Sequence, residues 1–265
     1  MSIHIRPTAP LAERALLPAD PGLALALAQA LLDSPRMFNH ARGLWGYTGL
    51  AGDGTAMTIQ STGIGGPSAA IVLEELIGMG LERAIRVGTC AAPGPGAPAT
   101  TPAGGEGAAG PPEALSAGPP AAGGPPGRIG LGDLLIAEAA VSSDGASRSL
   151  GADRLVGGDE RLSAAMVRAA AGARRGRVVS TDLFYGEADG LRLAGRLRAE
   201  GALAVDLETA ALFALGARRR VAVGCVLVVA DVILDGRRTR LDDAGLDGAC
   251  ERAGRLGAKG LAGAR

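Results

Sequence analysis

The sequence predicts an α/β fold: a single three-layer domain with helices on both faces of a mixed, largely parallel sheet. Three observations predict it. Strand-like and helix-like segments alternate along the chain. Val221–Val229 (VAVGCVLVV) is almost wholly apolar, as a central strand covered on both faces must be. Arg86–Thr89, Glu208 and Asp231 fall at or just beyond expected strand ends, where open α/β sheets place ligands.

Residues 1–20 read as extended, with an apolar Ala15-Leu16-Leu17. Asp20 is a good helix cap and Pro21 suits a first helical position. A helix is therefore expected over Gly22–Leu32, with Leu23, Leu27 and Leu31 on one face, ending near Pro35. Phe38–Gly49 reads as a hairpin packed around Trp45 and Tyr47. Thr55–Thr62 alternates as a strand. Gly63-Ile64-Gly65-Gly66 turns, and Pro67 opens a helix burying Ile71, Val72, Leu76 and Ile77. Ser68 stands where a dinucleotide fingerprint needs its third glycine, which argues against that cofactor. Ala84–Val87 is a short buried strand, and an arginine inside it, Arg86, is costly unless an anion meets it.

Pro93–Gly127 is different material: 29 of its 35 residues are Gly, Pro or Ala. It lacks the side chains that offset ordering entropy, so a disordered insertion into a domain spanning 1–265 is expected. Strand sequence resumes at Leu131–Val141. Leu162–Ala173, Leu191–Glu200 and Glu208–Ala217 read as helices, and Arg177–Ser180 and Ala202–Leu207 as strands. Asp242–Leu261 is a weak, glycine-interrupted helix.

Composition excludes some classes of function. Lys+Arg and Asp+Glu both total 27, a balance that disfavours nucleic acid as the main partner. No apolar run reaches the ~20 residues that span a bilayer, and a cytoplasmic protein is expected. Cys90, Cys225 and Cys250 are far apart with no CxxC, which points to buried thiols rather than disulfides or a metal site.

STGIGGPSAAIVLEEL, IRVGTCAA, STDLFY, VDLETAALFALG and VVAD, together with RGLWGYTG and the start of the chain, resemble the nucleoside phosphorylase family, and its hexameric bacterial purine branch most closely. The resemblance implies phosphorolysis of purine nucleosides to free base and pentose 1-phosphate. Phosphate is then a co-substrate, and neither cofactor nor metal is needed. The chemistry asks for cationic and backbone donors around phosphate, support for a sugar with oxocarbenium character, and a carboxylic acid to protonate the departing base. By position, the resemblance gives phosphate to Arg86, Gly88 and Thr89. It gives the ribose to Glu208, Leu207 and Ile64, the base to Phe184, and the proton to Asp231. Arg42 and His4 are implied to enter phosphate and ribose sites of a neighbouring subunit, hence a homo-oligomer, a hexamer built as a trimer of dimers.

Each residue alone has a plainer reading: Glu208 as a carboxylate at a helix start, Asp231 as a turn or cap, Phe184 as core, His4 as part of a loose terminus. The order of the motifs is what lifts them above it. Two departures matter. Ala19-Asp20-Pro21-Gly22-Leu23 replaces the family's Gly-Asp-Pro-x-Arg, removing a cation from the phosphate loop. The arginine that assists the acid has no secure counterpart among Arg237, Arg238 and Arg240. A nucleosidase, a uridine phosphorylase-like enzyme and a catalytically impaired nucleoside-binding homologue are therefore the alternatives. The segment after Phe184-Tyr185 lacks the Gln-x-Arg pair of uridine-specific relatives, which favours purine.

Overall fold

The computed structural model describes residues 2–94, 129–170, 172–185, 190–234 and 237–264. Apart from Pro93 and Gly94, the expected insertion Pro93–Gly127 lies outside them. In chain order the elements are β1 (Arg14–Pro18), α1 (Pro21–Leu31), β2 (Leu32–Asn39), a 3-10 turn (Ala41–Gly43), β3 (Gly46–Ala51), β4 (Ala56–Gln60), α2 (Gly66–Gly78), β5 (Arg83–Pro93), β6 (Leu134–Ser142), α3 (Gly145–Ser149), β7 (Leu155–Gly157), α4 (Glu160–Ala169), β8 (Arg174–Ser180), α5 (Gly190–Ala199), β9 (Ala202–Asp206), α6 (Thr209–Arg219), β10 (Ala222–Leu234), β11 (Arg237–Arg240) and α7 (Asp243–Gly263).

The described strands form one sheet, ordered β11-β10-β6-β8-β9-β5-β1-β4-β3-β2, with β7 on β6 and a second pairing of β10 with β5. That pairing closes β5, β10, β6, β8 and β9 into a ring, while β1, β4, β3 and β2 fan out from β5. Pairings of β1 with β4 and β5, of β5 with β10, and of β8 with β6 and β9 are parallel. Short connections force β2–β3–β4 and β10–β11 to run antiparallel, and β5–β9, β6–β10 and β6–β7 are antiparallel too, so parallel and antiparallel pairs mix within the ring as well as at the margins.

Alternate residues of the central strands feed opposite layers. Ala15, Leu17 and Ala84 face the side covered by α2 and α6, whereas Leu16, Ile85 and Val87 face α1, α4 and α7. Val226, Leu227 and Val228 are fully buried, each worth about 1.5–3 kcal/mol over exposure. The cap of α1 is as expected: the Leu23 amide donates to Asp20 Oδ1 at 2.7 Å.

Several expectations are corrected. Trp45 is 39% exposed; the buried aromatics of this hairpin are Phe38 and Tyr47, which feed opposite core layers. Ile71 is 44% exposed, because the inward face of α2 is Ala69, Val72, Leu73 and Leu76. The terminal helix is not weak: α7 runs 21 residues, and its glycines are where it seats. A Cβ at Gly254 would lie 2.3 Å from Leu27 Cδ2, and one at Gly260 would lie 2.6 Å from Met166 Cγ. Strands β5 and β10 are also longer than expected. Arg86 and Thr89 lie mid-strand, and Asp231 lies inside β10, since the two strands keep pairing to Pro93 and Ile233 past a register shift between Val229 and Asp231. Among the described residues, no helix is long and apolar enough to cross a membrane.

Candidate active site

The cleft lies where the ring of strands closes. There β5 and β9 pair at Ala91–Val205, and side chains from β5, the β9–α6 junction, β10, β11 and the segment after β8 converge around about 380 Å³. Arg86, Thr89, Leu207, Glu208, Ile64, Phe184 and Asp231 all line it. Gly88 lies beneath Arg86: a Cβ there would be 2.6 Å from the Arg86 Cζ and Nη2 atoms, so the guanidinium folds over a backbone that only glycine leaves bare. Arg42, an exposed left-handed residue (φ 60°), and His4 do not line this chain's own cleft.

One end of the cleft is a buried ion triad. Arg86 is 2% exposed, and the partners that the sequence left unnamed are Glu208 and Asp206. Arg86 Nη2 donates to Glu208 Oε2 and lies 3.3 Å from Asp206 Oδ2. Burial alone would lower the Arg86 pKa; the two carboxylates reverse this and hold the guanidinium charged. Burial pushes the Glu208 carboxyl up, Arg86 pulls it back in part, and Asp206 adds to the rise. Arg86 Nε and Nη1 are buried with no hydrogen-bond partner among the described residues. Such donors call for an acceptor from outside the chain.

Asp206 is the hub that fixes this end. It accepts from Ser180 Oγ at 2.6 Å and from the Thr209 amide at 3.0 Å, and so caps α6. Glu208, at the cap position, makes no side-chain cap bond. Its Oε1 instead accepts from the Gly65 amide at 2.7 Å, tying the turn before α2 to the site. Gly65 has φ +87°, which glycine adopts without strain. Beside the triad, burial pushes the Cys225 thiol up to about 12 and Cys90 well above its ordinary value, so both are thiols rather than thiolates.

The other end inverts the ratio. Asp231 is 3% exposed, and Arg240 Nη1 donates to its Oδ2 at 2.8 Å while Arg238 Nη1 lies 3.8 Å from the same oxygen. Asp231 Oδ1 is buried without a partner among the described residues. Register explains the grouping: Asp231 pairs with Arg240 and Ile233 with Arg238, so all four side chains share one face. The Arg238 guanidinium also sits 4.3 Å above the Phe184 ring and donates to the Phe184 carbonyl at 3.3 Å. Phe184, 40% exposed, is thus a platform at the mouth rather than core. Arg240 is the arginine bonded to Asp231, a partner that sequence alone left open. Asp235-Gly236 between two strand-like runs, a strong hairpin signal, would have found it.

A family description, the phosphorylase superfamily, matches residues 13–101 and 109–261. The chain belongs to that superfamily. It is 30% identical to a DeoD-type purine nucleoside phosphorylase of Geobacillus kaustophilus, over 92% of this chain and 91% of that protein. It is also 30% identical to one of Caldanaerobacter subterraneus, over 92% and 93%. Among solved structures, a uridine phosphorylase of Vibrio fischeri superposes with a TM-score of 0.71 at 22% identity, covering 95% of this chain and 92% of that one. That likeness speaks for the fold alone.

Proposed function

We propose that this superfamily member is a purine nucleoside phosphorylase, acting in cytoplasmic purine salvage and needing no cofactor or metal beyond phosphate as co-substrate. The reading rests on one observation: a single cleft holds buried donors on Arg86 and a buried acceptor on Asp231 that have no partner among the described residues. Ala91, the register partner of Asp231, lies five residues beyond Arg86 along β5, about 16 Å of strand. Phosphate meets Arg86 and Thr89, the ribose diol meets Glu208, Leu207 and Ile64 flank the sugar, and the base packs on Phe184. As the glycosidic bond breaks, a phosphate oxygen bonds the anomeric carbon, and Asp231 passes a proton to the ring nitrogen of the leaving base. A neighbouring subunit in a homo-oligomer supplies Arg42 to the phosphate and His4 to the ribose.

A second reading has its own support. The Arg86 end carries two carboxylates to one cation, and Leu23 adds no charge at the start of α1. A site short of positive charge suits water better than a phosphate dianion, which would make the protein a nucleosidase.

The test is base release from inosine, adenosine and uridine by the purified protein, with and without phosphate, and in Asp231→Ala. Purine release that needs phosphate and is lost in the variant supports the first reading. Release unchanged without phosphate moves the assignment to the nucleosidase, and release from uridine alone moves it to a uridine phosphorylase.

A further inference from the structure

We propose that Arg238 selects among bases, favouring a purine that carries an exocyclic oxygen over one that carries an amino group. The proposal rests on the purine nucleoside reading above and deepens it.

Two arginines converge on one carboxylate at the Phe184 end, and their geometries differ. Arg240 is committed to Asp231 by its 2.8 Å bond, which leaves Asp231 Oδ1 to meet the ring nitrogen. Arg238 holds Asp231 only at 3.8 Å and donates weakly, at 3.3 Å, to the Phe184 carbonyl. A guanidinium has five N–H donors in a rigid fork, more than these contacts use. Arg238 lies over one face of the Phe184 ring and both line the cleft, so a base packed against Phe184 lies beside the guanidinium. Among the described residues, Asp231 is met by two cations, the reverse of the Arg86 end.

That arrangement distinguishes bases by chemistry. A 6-oxopurine presents O6 as an acceptor beside the ring nitrogen that Asp231 protonates, and a guanidinium N–H donates to it. Adenine offers one acceptor and an amino donor, which suits the carboxamide of Gln or Asn instead. An amino group pointed at a guanidinium leaves donor against donor. A charge-assisted bond made to O6 and refused by an amino group discriminates by about tenfold to a hundredfold.

The experiment is kcat/KM for inosine and adenosine at saturating phosphate, in the wild type, Arg238→Gln and Arg238→Lys. The wild type is expected to prefer inosine by about tenfold or more. Arg238→Gln is expected to bring the inosine-to-adenosine ratio to about one or invert it, because the Gln carboxamide oxygen accepts from the adenine amino group. Arg238→Lys, which keeps charge but not the fork, should fall between. Hypoxanthine should bind the wild type more tightly than adenine in calorimetry, a readout independent of any variant's folding. A ratio unmoved in Arg238→Gln, or equal binding of the two bases, overturns the role of Arg238 while leaving a working purine phosphorylase. No phosphate-dependent purine release by the wild type overturns the purine reading itself, and the selectivity with it.

Discussion

The two ends of the cleft use the same ingredients in opposite proportion and depth. At one, a single arginine sits between two carboxylates, all three 4% exposed or less. At the other, a buried carboxylate is met by two arginines whose side chains are 30% and 51% exposed. The first arrangement is anchored by backbone amides, Ser180 and Thr209, and cannot easily rearrange. The second stands on an edge strand with water at hand. The buried triad should therefore carry stability, and the open one should carry chemistry with little bearing on the fold.

The largest expected effect follows from removing the buried cation. Arg86→Ala leaves two carboxylates facing each other without a counter-charge, a loss of about 3–5 kcal/mol. Urea denaturation checks it; a loss under about 1 kcal/mol would mean that water or another group already compensates them, and the contrast between the ends would fail. Asp231→Asn should do the opposite. Activity should fall by about 10²–10⁴-fold, the usual span for a positioned acid. Its unfolding midpoint should stay near that of the wild type, because the two arginines left behind are solvated. A variant of Asp231 that unfolds as readily as Arg86→Ala would erase the distinction. Gly88→Ala is a smaller probe of the same end. Its methyl would meet the Arg86 guanidinium at 2.6 Å, and overpacking of this kind costs about 1–3 kcal/mol. If its stability matched the wild type, the guanidinium would have room to move, and the first end would be no more rigid than the second.

What sequence reveals divides along the same line. The cap at Asp20, the apolar run that opens β10 and the glycine turn before α2 are local patterns, and each stands where the pattern puts it. The partner of Arg86 is not local: Glu208 is 122 positions away, and only closure of the strand ring brings them together. Sequence could say that a buried arginine needs an anion, but not that the chain itself supplies two. Asp231 looked like a residue past a strand end because the apolar run stops at Ala230, yet β10 continues through an irregularity and into a hairpin. The arginines of β11 were visible as charges, and their shared face emerged only from the register.

A fourth carboxylate offers a control outside both ends, with the smallest expected effect. Glu75 on α2 is partly exposed and makes no ion pair among the described residues. It accepts instead from Ser2 Oγ at 2.6 Å, from the Ile3 and His4 amides at 3.0 Å, and from the Ile5 amide at 2.7 Å. Its partial burial alone would raise the carboxyl, but the Ser2 hydroxyl and the three amides outweigh that and hold it at about 2, below the ordinary 4.5. A folded pKa below the unfolded one contributes stability that is full above pH 4.5 and lost as pH falls toward 2. Solvent screening limits the size of this term, so acid should loosen the N-terminal segment locally rather than unfold the protein. Hydrogen-exchange protection of the Ile3–Ile5 amides should drop over that window, and in Glu75→Gln it should be low at every pH. A carboxylate held by neutral donors is thereby set against carboxylates held by guanidinium groups. The neutral clamp should be indifferent to salt, while the exposed arginines at Asp231 should weaken as salt rises. If protection at Ile3–Ile5 instead fell with salt at neutral pH, a cation would have to be holding Glu75, and the clamp would belong with the ion triads after all.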